Sequence, residues 1–498
     1  MKPDDILDSM NNIDDEIITE AQEMRSNKRN KKVWMKWVAV AACFCILIGA
    51  VLGHFHFNPI TEPKPAPSVN TPPINLLSCS ISKAVYPTMS KYPVETDFDN
   101  GQGELDYMAY SDAVEKWYDE FEARLKNTAQ ADKYSRFFTA TTKTFLADTK
   151  GENLVYSPVN VYMALSMLAE STDGNTRQEI LDLLGADSVD ELRTLATRLW
   201  LSNYADDGVT TNILANSVWL RDGTDYNKTT LDTLASKYYA SSFSGEMGSD
   251  SYNKALHSWL NEQTGGLLKE QANEVEFNTD TVLGLASTVY FKARWSEEFS
   301  KHATKPDTFY GTKGSSKVDF MKQTMRDIPF YSDDNYTATA LPFNNSGKMW
   351  LILPDEGVTP ETLIKSGTVN PILSGNTPKN VDNNIIINLS LPKFDVASST
   401  DLIDGIEKLG VSDVFDELTA DFTPIMPNQS GYVSRINHSA RVTVDEEGCT
   451  AAAFTVIGVD TEAFIEGNEI DFVLNRPFIF VITSDDSTPL FVGIVNNI

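Results

Sequence analysis

The chain has 498 residues, 41% of them apolar and 10% aromatic, with a formal net charge of −29 at pH 7. That is length for two or more domains, or for one large domain with additions, and the composition is that of a globular core. The acidity argues against a nucleic-acid partner, which needs a basic face to meet phosphates, and four cysteines are too few for a disulfide framework.

Residues 1–24 are acidic with scattered apolar positions, and Arg25, Lys28, Arg29, Lys31 and Lys32 then crowd together to close a segment 1–32. Residues 33–53 are apolar except for Lys36. As a helix they would reach about 31 Å at ~1.5 Å per residue, the thickness of a hydrocarbon core. Lys36 lies one turn from the end, where it can snorkel, and Trp34 and Trp37 stand as interface anchors. The basic cluster assigns the N-terminal side to the cytoplasm. Two other readings exist: Val40-Ala41-Ala42-Cys43 looks like a lipoprotein cleavage site, and the run is a candidate signal peptide. Most of the apolar run follows the cysteine, however, and the basic cluster begins too late for a signal peptide. A retained single-pass anchor is therefore expected, with everything beyond it outside the cell.

A proline-rich linker, 54–73, comes next, with His54 and His56 read as solvated residues and not as metal ligands. Aromatics return in an extension, 74–130, in which Ser111 is read as the cap of a helix with Val114, Trp117, Phe121 and Leu125 on one face. That stripe is expected to pack on the main domain, 131–498. There, residues 134–147 read as a helix with Phe137, Phe138, Thr141 and Phe145 on one side. Ser157-Pro158 opens an apolar helix through Met163, Leu165, Met167 and Leu168, and Asn175 and Gln178 are read as capping a short helix 180–184 closed by Gly185. Val218-Trp219-Leu220 and the run from Val289 to Trp295 have the β-branched and aromatic character of strands.

The stretch 444–477 reads as a strand, a hinge, a long exposed loop and a strand again. Glu446-Glu447-Gly448 is followed by Cys449, Ala451, Ala453 and Thr455 at period two, all small, with Phe454 on the opposite face. A segment with so small a face can slide between two existing strands without a clash. The same composition also fits an Ala/Thr-rich surface loop that never moves. A disulfide at Cys449 would oppose hinge motion, so a free thiol is expected there.

These residues resemble the hinge and reactive loop of the serpin family: Glu446, Gly448, Ala451, Ala452 and Ala453 match, and Cys449 stands where threonine is usual. Other matches follow in chain order. They are Ser157-Pro158 with Asn160 in place of serine, Ser287 in place of asparagine, Trp295 after the central strand, Leu391-Pro392-Lys393-Phe394, His438, and Asn475-Arg476-Pro477-Phe478 with Pro489-Leu490-Phe491. The resemblance covers residues 131–498 and implies an α+β domain with a large central mixed β-sheet, smaller β-sheets and eight or nine helices. It implies a hinge of Glu446, Glu447, Gly448, Cys449, Thr450, Ala451, Ala452 and Ala453, with Glu446 paired to Lys393. It also implies a sheet-opening site at Trp295, Lys393, His438, Ser157, Asn160 and Ser287. The reactive bond then falls at Glu462 and Ala463, with Thr461 or Phe464 within the uncertainty of register.

The function so implied is suicide inhibition of serine proteases by an extracellular, membrane-anchored, monomeric inhibitor of bacterial type. Five histidines and the lack of a G-x-S-x-G, an H-E-x-x-H or a phosphate-binding glycine loop leave little room for an enzyme. No cofactor, metal or small-molecule substrate is expected. A non-inhibitory binding scaffold is the alternative, marked as a rule by a bulky or charged inward hinge residue that this chain lacks. A third reading, signalling through residues 1–24 when the outer domain is cut, rests on topology alone.

Overall fold

The computed structural model describes residues 76, 79–101, 105–125, 133–326, 328–333, 335–344, 346–378, 380–382, 385–449 and 468–498. The expected anchor and linker, and the loop residues 450–467, lie outside them. Three sheets organise the described chain. The largest runs in the order β1 (Ser80–Ser82), β5 (Ala240–Gly245), β4 (Thr211–Arg221), β6 (Leu283–Arg294), β16 (Gly448–Cys449), β15 (Asn437–Val444) and β14 (Phe394–Asp401), with β3 (Ala205–Asp206) against β4. It is mixed, since β4 and β5 are parallel and the other pairs antiparallel.

The second sheet orders β12 (Val381–Asp382), β9 (Phe330–Asp333), β10 (Tyr336–Pro342), β11 (Lys348–Pro354), β18 (Phe478–Thr483), β19 (Pro489–Val495) and β2 (Leu154–Tyr156). The third orders β17 (Asn468–Val473), β13 (Ile385–Pro392), β8 (Gly314–Met325) and β7 (Lys305–Gly311).

Burial follows the sequence pattern. In β15 buried and more exposed residues alternate, which is the signature of one covered face, whereas every residue of β18 and β19 is buried, as their unbroken apolar runs require. The helix α3 (Pro158–Ser171) is apolar nearly all round and is buried on all sides in the main core. It begins where the sequence says it should: Ser157 is extended, its hydroxyl accepts the Asn160 N–H, and Pro158 occupies the first turn without leaving a donor unmet. A second, smaller core lies between Ala215 and Trp219 of β4 and the helix Asp250–Gln263, through Tyr252, Leu256 and Trp259.

Several expectations are corrected. The described residues hold eleven α-helices, one in the extension and ten in the main domain where eight or nine were expected, because short helices such as Lys269–Ala272 and Asn370–Leu373 carry too few residues to show periodicity. The extension helix, α1 (Tyr107–Leu125), starts before Ser111, and the Asp106 carboxylate accepts the Ala109 N–H at its N-terminus. Its Trp117 meets Tyr92 and donates to the Ser90 carbonyl, so the stripe packs on the extension's own residues 90–92. These in turn hold the main domain: Tyr92 N–H donates to the Asp207 carbonyl, and Lys91 pairs with Asp206 at 3.3 Å. Asn175 and Gln178 lie inside the helix Gly174–Leu184, which starts after Asp173; Gly185 does close it in the left-handed conformation. No helix among the described residues is long and apolar enough to cross a membrane.

Candidate functional site

The hinge is a tight reversal between β15 and β16. Asp445 N–H donates to the Gly448 carbonyl at 3.1 Å, and the Asp445 carboxylate accepts the N–H groups of Glu447 and Gly448. The three carbonyls of the turn all find donors: the Trp295 indole N–H reaches Asp445 at 2.9 Å, Phe299 N–H reaches Glu446 and Trp295 N–H reaches Glu447. Trp295 stands one residue beyond β6, stacked on Phe343 at 4.9 Å, so a rigid aromatic plate fixes the start of the hinge.

Glu446 is turned inward, with its side chain only 8% exposed. Lys393 Nζ meets one carboxylate oxygen at 2.7 Å and the Thr304 hydroxyl the other at 2.9 Å. Burial alone would raise this carboxyl group, but the hydrogen bonds from Lys393, its own backbone and Thr304 outweigh it, and the group is held below the ordinary glutamate value. Glu447, by contrast, pairs at 2.6 Å with Lys301, which is 69% exposed, and such a pair contributes little.

Beyond the turn, Gly448 and Cys449 lie between two strands, paired to Arg294 and Ala293 of β6 on one side and, at Cys449, to Val444 of β15 on the other. A Cβ on Gly448 would overlap the Ala293 carbonyl oxygen and stand 2.8 Å from Arg294 Cα, so only glycine fits. Cys449 is a buried free thiol, and that burial pushes its pKa up and leaves it inert. Among the described residues β6 and β15 are joined only through these two hinge residues. The seam between them is otherwise unbridged by described strands.

Lower in the seam the other expected opening residues meet. The Ser157 N–H donates to His438 Nε2 at 3.1 Å, so His438 is neutral with its proton on Nδ1, and burial depresses its pKa from 6.5 to about 4. Ser287 Oγ reaches the Asn160 carbonyl at 3.5 Å, a long bond. The structure thus brings Ser157, Asn160, Ser287 and His438 together, and Trp295, Lys393 and Glu446 at the hinge end. Thr450, Ala451, Ala452, Ala453, Thr461, Glu462, Ala463 and Phe464 lie outside the described residues. Sequence reasoning missed Thr304, Lys301 and the indole N–H of Trp295 as hinge partners. They stand about 140 positions or more away from the residues they bind, and no local pattern marks them. No group of three or more potential metal ligands exists among the described residues.

Fold and hinge define the class: a three-sheet α+β domain whose hinge residues Gly448 and Cys449 lie between two strands of the central sheet. The profile of the family described as Serpin (serine protease inhibitor) matches residues 132–498, and the chain belongs to that family. It is 30% identical over 368 residues to Serpin-Z10 of Arabidopsis thaliana, covering 69% of this chain and 91% of that protein. It is 28% identical over 360 residues to Serpin-Z1A of Triticum aestivum, covering 69% and 90%. Among solved structures, the thermophilic serpin tengpin in its native state superposes with a TM-score of 0.64 at 26% identity, over 74% of this chain and 94% of that one.

Proposed function

We propose that this serpin is a suicide inhibitor of serine proteases, carried outside a cell of bacterial type by a single membrane anchor at residues 33–53 with its N-terminus in the cytoplasm. The target's serine attacks the reactive bond, the new amine leaves, and the acyl-enzyme ester stays on the loop. Insertion of the loop's first part then carries the enzyme away before water completes the reaction.

One observation carries this reading: the register of β16. Each step along the hinge steps one residue back along β6 and along β15, from the pairs of Cys449 with Ala293 and with Val444. Continued, the register sets Ala451 against Phe291 and Val442, Ala453 against Val289 and Ala440, and Thr455 against Ser287 and His438. Cys449 and Val444, Val442, Ala440 and His438 are all buried, so the inserted face is the one on which this loop has only small side chains. An inhibitory loop needs that face small, which favours this reading over a non-inhibitory scaffold.

Between Arg441 and Arg476 there is no lysine or arginine, so the acidic pocket of a trypsin-like enzyme finds no partner. Val459, Thr461 and Ala463 suit an elastase-like or subtilisin-like protease, Glu462 a glutamate-specific one, and Phe464 a chymotrypsin-like one. The test is Ala453→Arg. The natural protein should form an SDS-resistant complex with a subtilisin- or elastase-like protease, whereas the variant should be cut and released as a substrate. A variant that still forms the complex refutes insertion. Protease added to intact cells should release the outer domain, and complete protection would place that domain inside.

A further inference from the structure

On the third sheet, a groove of about 410 Å³ lies across β7, β8, β13 and β17. Asp307, Lys322, Thr324, Asn388, Ser390 and Asp471 line it. The register explains the convergence: Asn388 pairs with both Thr324 and Asp471, and Ser390 with Lys322, so three strands present polar side chains in two adjacent rows, and Asp307 of β7 approaches Lys322 from the side. Thr324 Oγ1 donates to Asn388 Oδ1 at 3.0 Å, and Asn388 Nδ2 donates to Asp471 Oδ1 at 3.2 Å. This relay fixes the Asp471 carboxylate and leaves its other oxygen for a ligand.

Ser390 is the decisive residue. It is 7% exposed, and its hydroxyl is buried with no hydrogen-bond partner among the described residues. A buried hydroxyl without a partner destabilises a fold, and valine or alanine on this strand would avoid that cost. A ligand in the groove supplies the missing partner.

Two carboxylates stand here against one ammonium, and Lys322 is only loosely engaged with Asp307, at 3.7 Å. No aromatic ring lines the groove to stack a sugar or a base. The ligand must therefore be compact and cationic, and must carry several N–H donors at fixed angles to reach Asp471, Asp307 and Ser390 Oγ together. A guanidinium meets that description, while an ammonium is a point donor. We propose that this groove binds an alkylguanidinium, supplied by a free small molecule or by an arginine side chain of another protein. One wall of the site, Asp471, stands on β17, the strand that follows the loop.

The test is calorimetric titration of the full-length protein with agmatine and, separately, with a blocked Gly-Arg-Gly peptide. At least one should bind with a Kd of about 1 mM or tighter, and putrescine should bind at least several-fold more weakly. Binding of agmatine alone identifies a free cation as the source, and binding of the peptide identifies a protein arginine. Ser390→Ala and Asp471→Asn should each weaken binding about tenfold. Ser390→Ala should do so with an unchanged or raised melting temperature, which separates loss of a contact from loss of the fold. Lys322→Gln, by removing the competing cation, should tighten binding. No binding of either guanidinium, or binding indifferent to both Ser390→Ala and Asp471→Asn, overturns the proposal.

Discussion

The imidazole of His438 makes the acid sensitivity of the sheet opening calculable. Its Nε2 accepts the Ser157 N–H, which only the neutral ring can do, and its pKa falls from 6.5 to about 4 on folding through burial. A depressed folded value means that the unfolded chain takes up the proton first as pH falls. The stability held by the neutral ring is therefore complete above about pH 6.5 and is lost progressively down to about pH 4. Linkage gives a loss of roughly 1 kcal/mol at pH 5.5 relative to neutrality, and roughly 3 kcal/mol below pH 4. His438→Gln keeps an acceptor and cannot titrate, so the comparison isolates this one residue from every carboxylate that also responds. Urea unfolding at pH 7.5 and 5.5 should show the natural protein losing roughly 1 kcal/mol more than the variant. Parallel pH profiles for the two proteins would refute the neutral, accepting histidine.

Gly448→Ala forces a methyl group into the Ala293 carbonyl and should unpair β16, lowering stability by about 2 kcal/mol and exposing Cys449 to thiol reagents. Lys393→Met strands the inward Glu446 carboxylate and should cost about 2 kcal/mol at neutral pH. Because the folded Glu446 titrates below the ordinary glutamate value, that cost should be full above the ordinary range and should shrink as pH falls through the folded value, which acid-range urea melts will show. Arg193→Ala removes the two hydrogen bonds, at 2.6 and 2.8 Å, that hold the buried Glu170 carboxylate and leaves it only Tyr238. Thermal unfolding should register a loss of about 3 kcal/mol, and Arg193→Lys, lacking the forked geometry, should recover only part of it.

The turn Glu446-Glu447-Gly448 was legible in the sequence because its requirements are local: a glycine where no Cβ fits and a charged residue at the turn. Ser157-Pro158 was legible as a helix start for the same reason, since the cap and the proline act on their own backbone. The partners of the hinge were not. Lys393 came only with the family resemblance, and Thr304 carries its hydroxyl to Glu446 from 142 positions away. Ser111 misled because a serine can also sit inside a helix, and the true start lay five residues earlier, where the Asp106 carboxylate accepts the Ala109 N–H. Strand β1 was invisible, being three residues long and half exposed, and its identity as a strand comes entirely from the β5 edge it meets.

That short strand gives the domain a mechanical property. The chain enters the described fold at β1, whose antiparallel pairing to β5 rests on few bonds, with Ser244 N–H donating to the Cys79 carbonyl at the outermost point. A pull on the N-terminal side reaches Leu76 and Cys79, packed on the second core, and then the strand itself. Beyond it the Ser241 hydroxyl accepts the Ala84 N–H, and Tyr86 is seated among Trp200, Tyr204 and Tyr239. The short edge strand therefore stands as a fuse ahead of the aromatic seat of Tyr86.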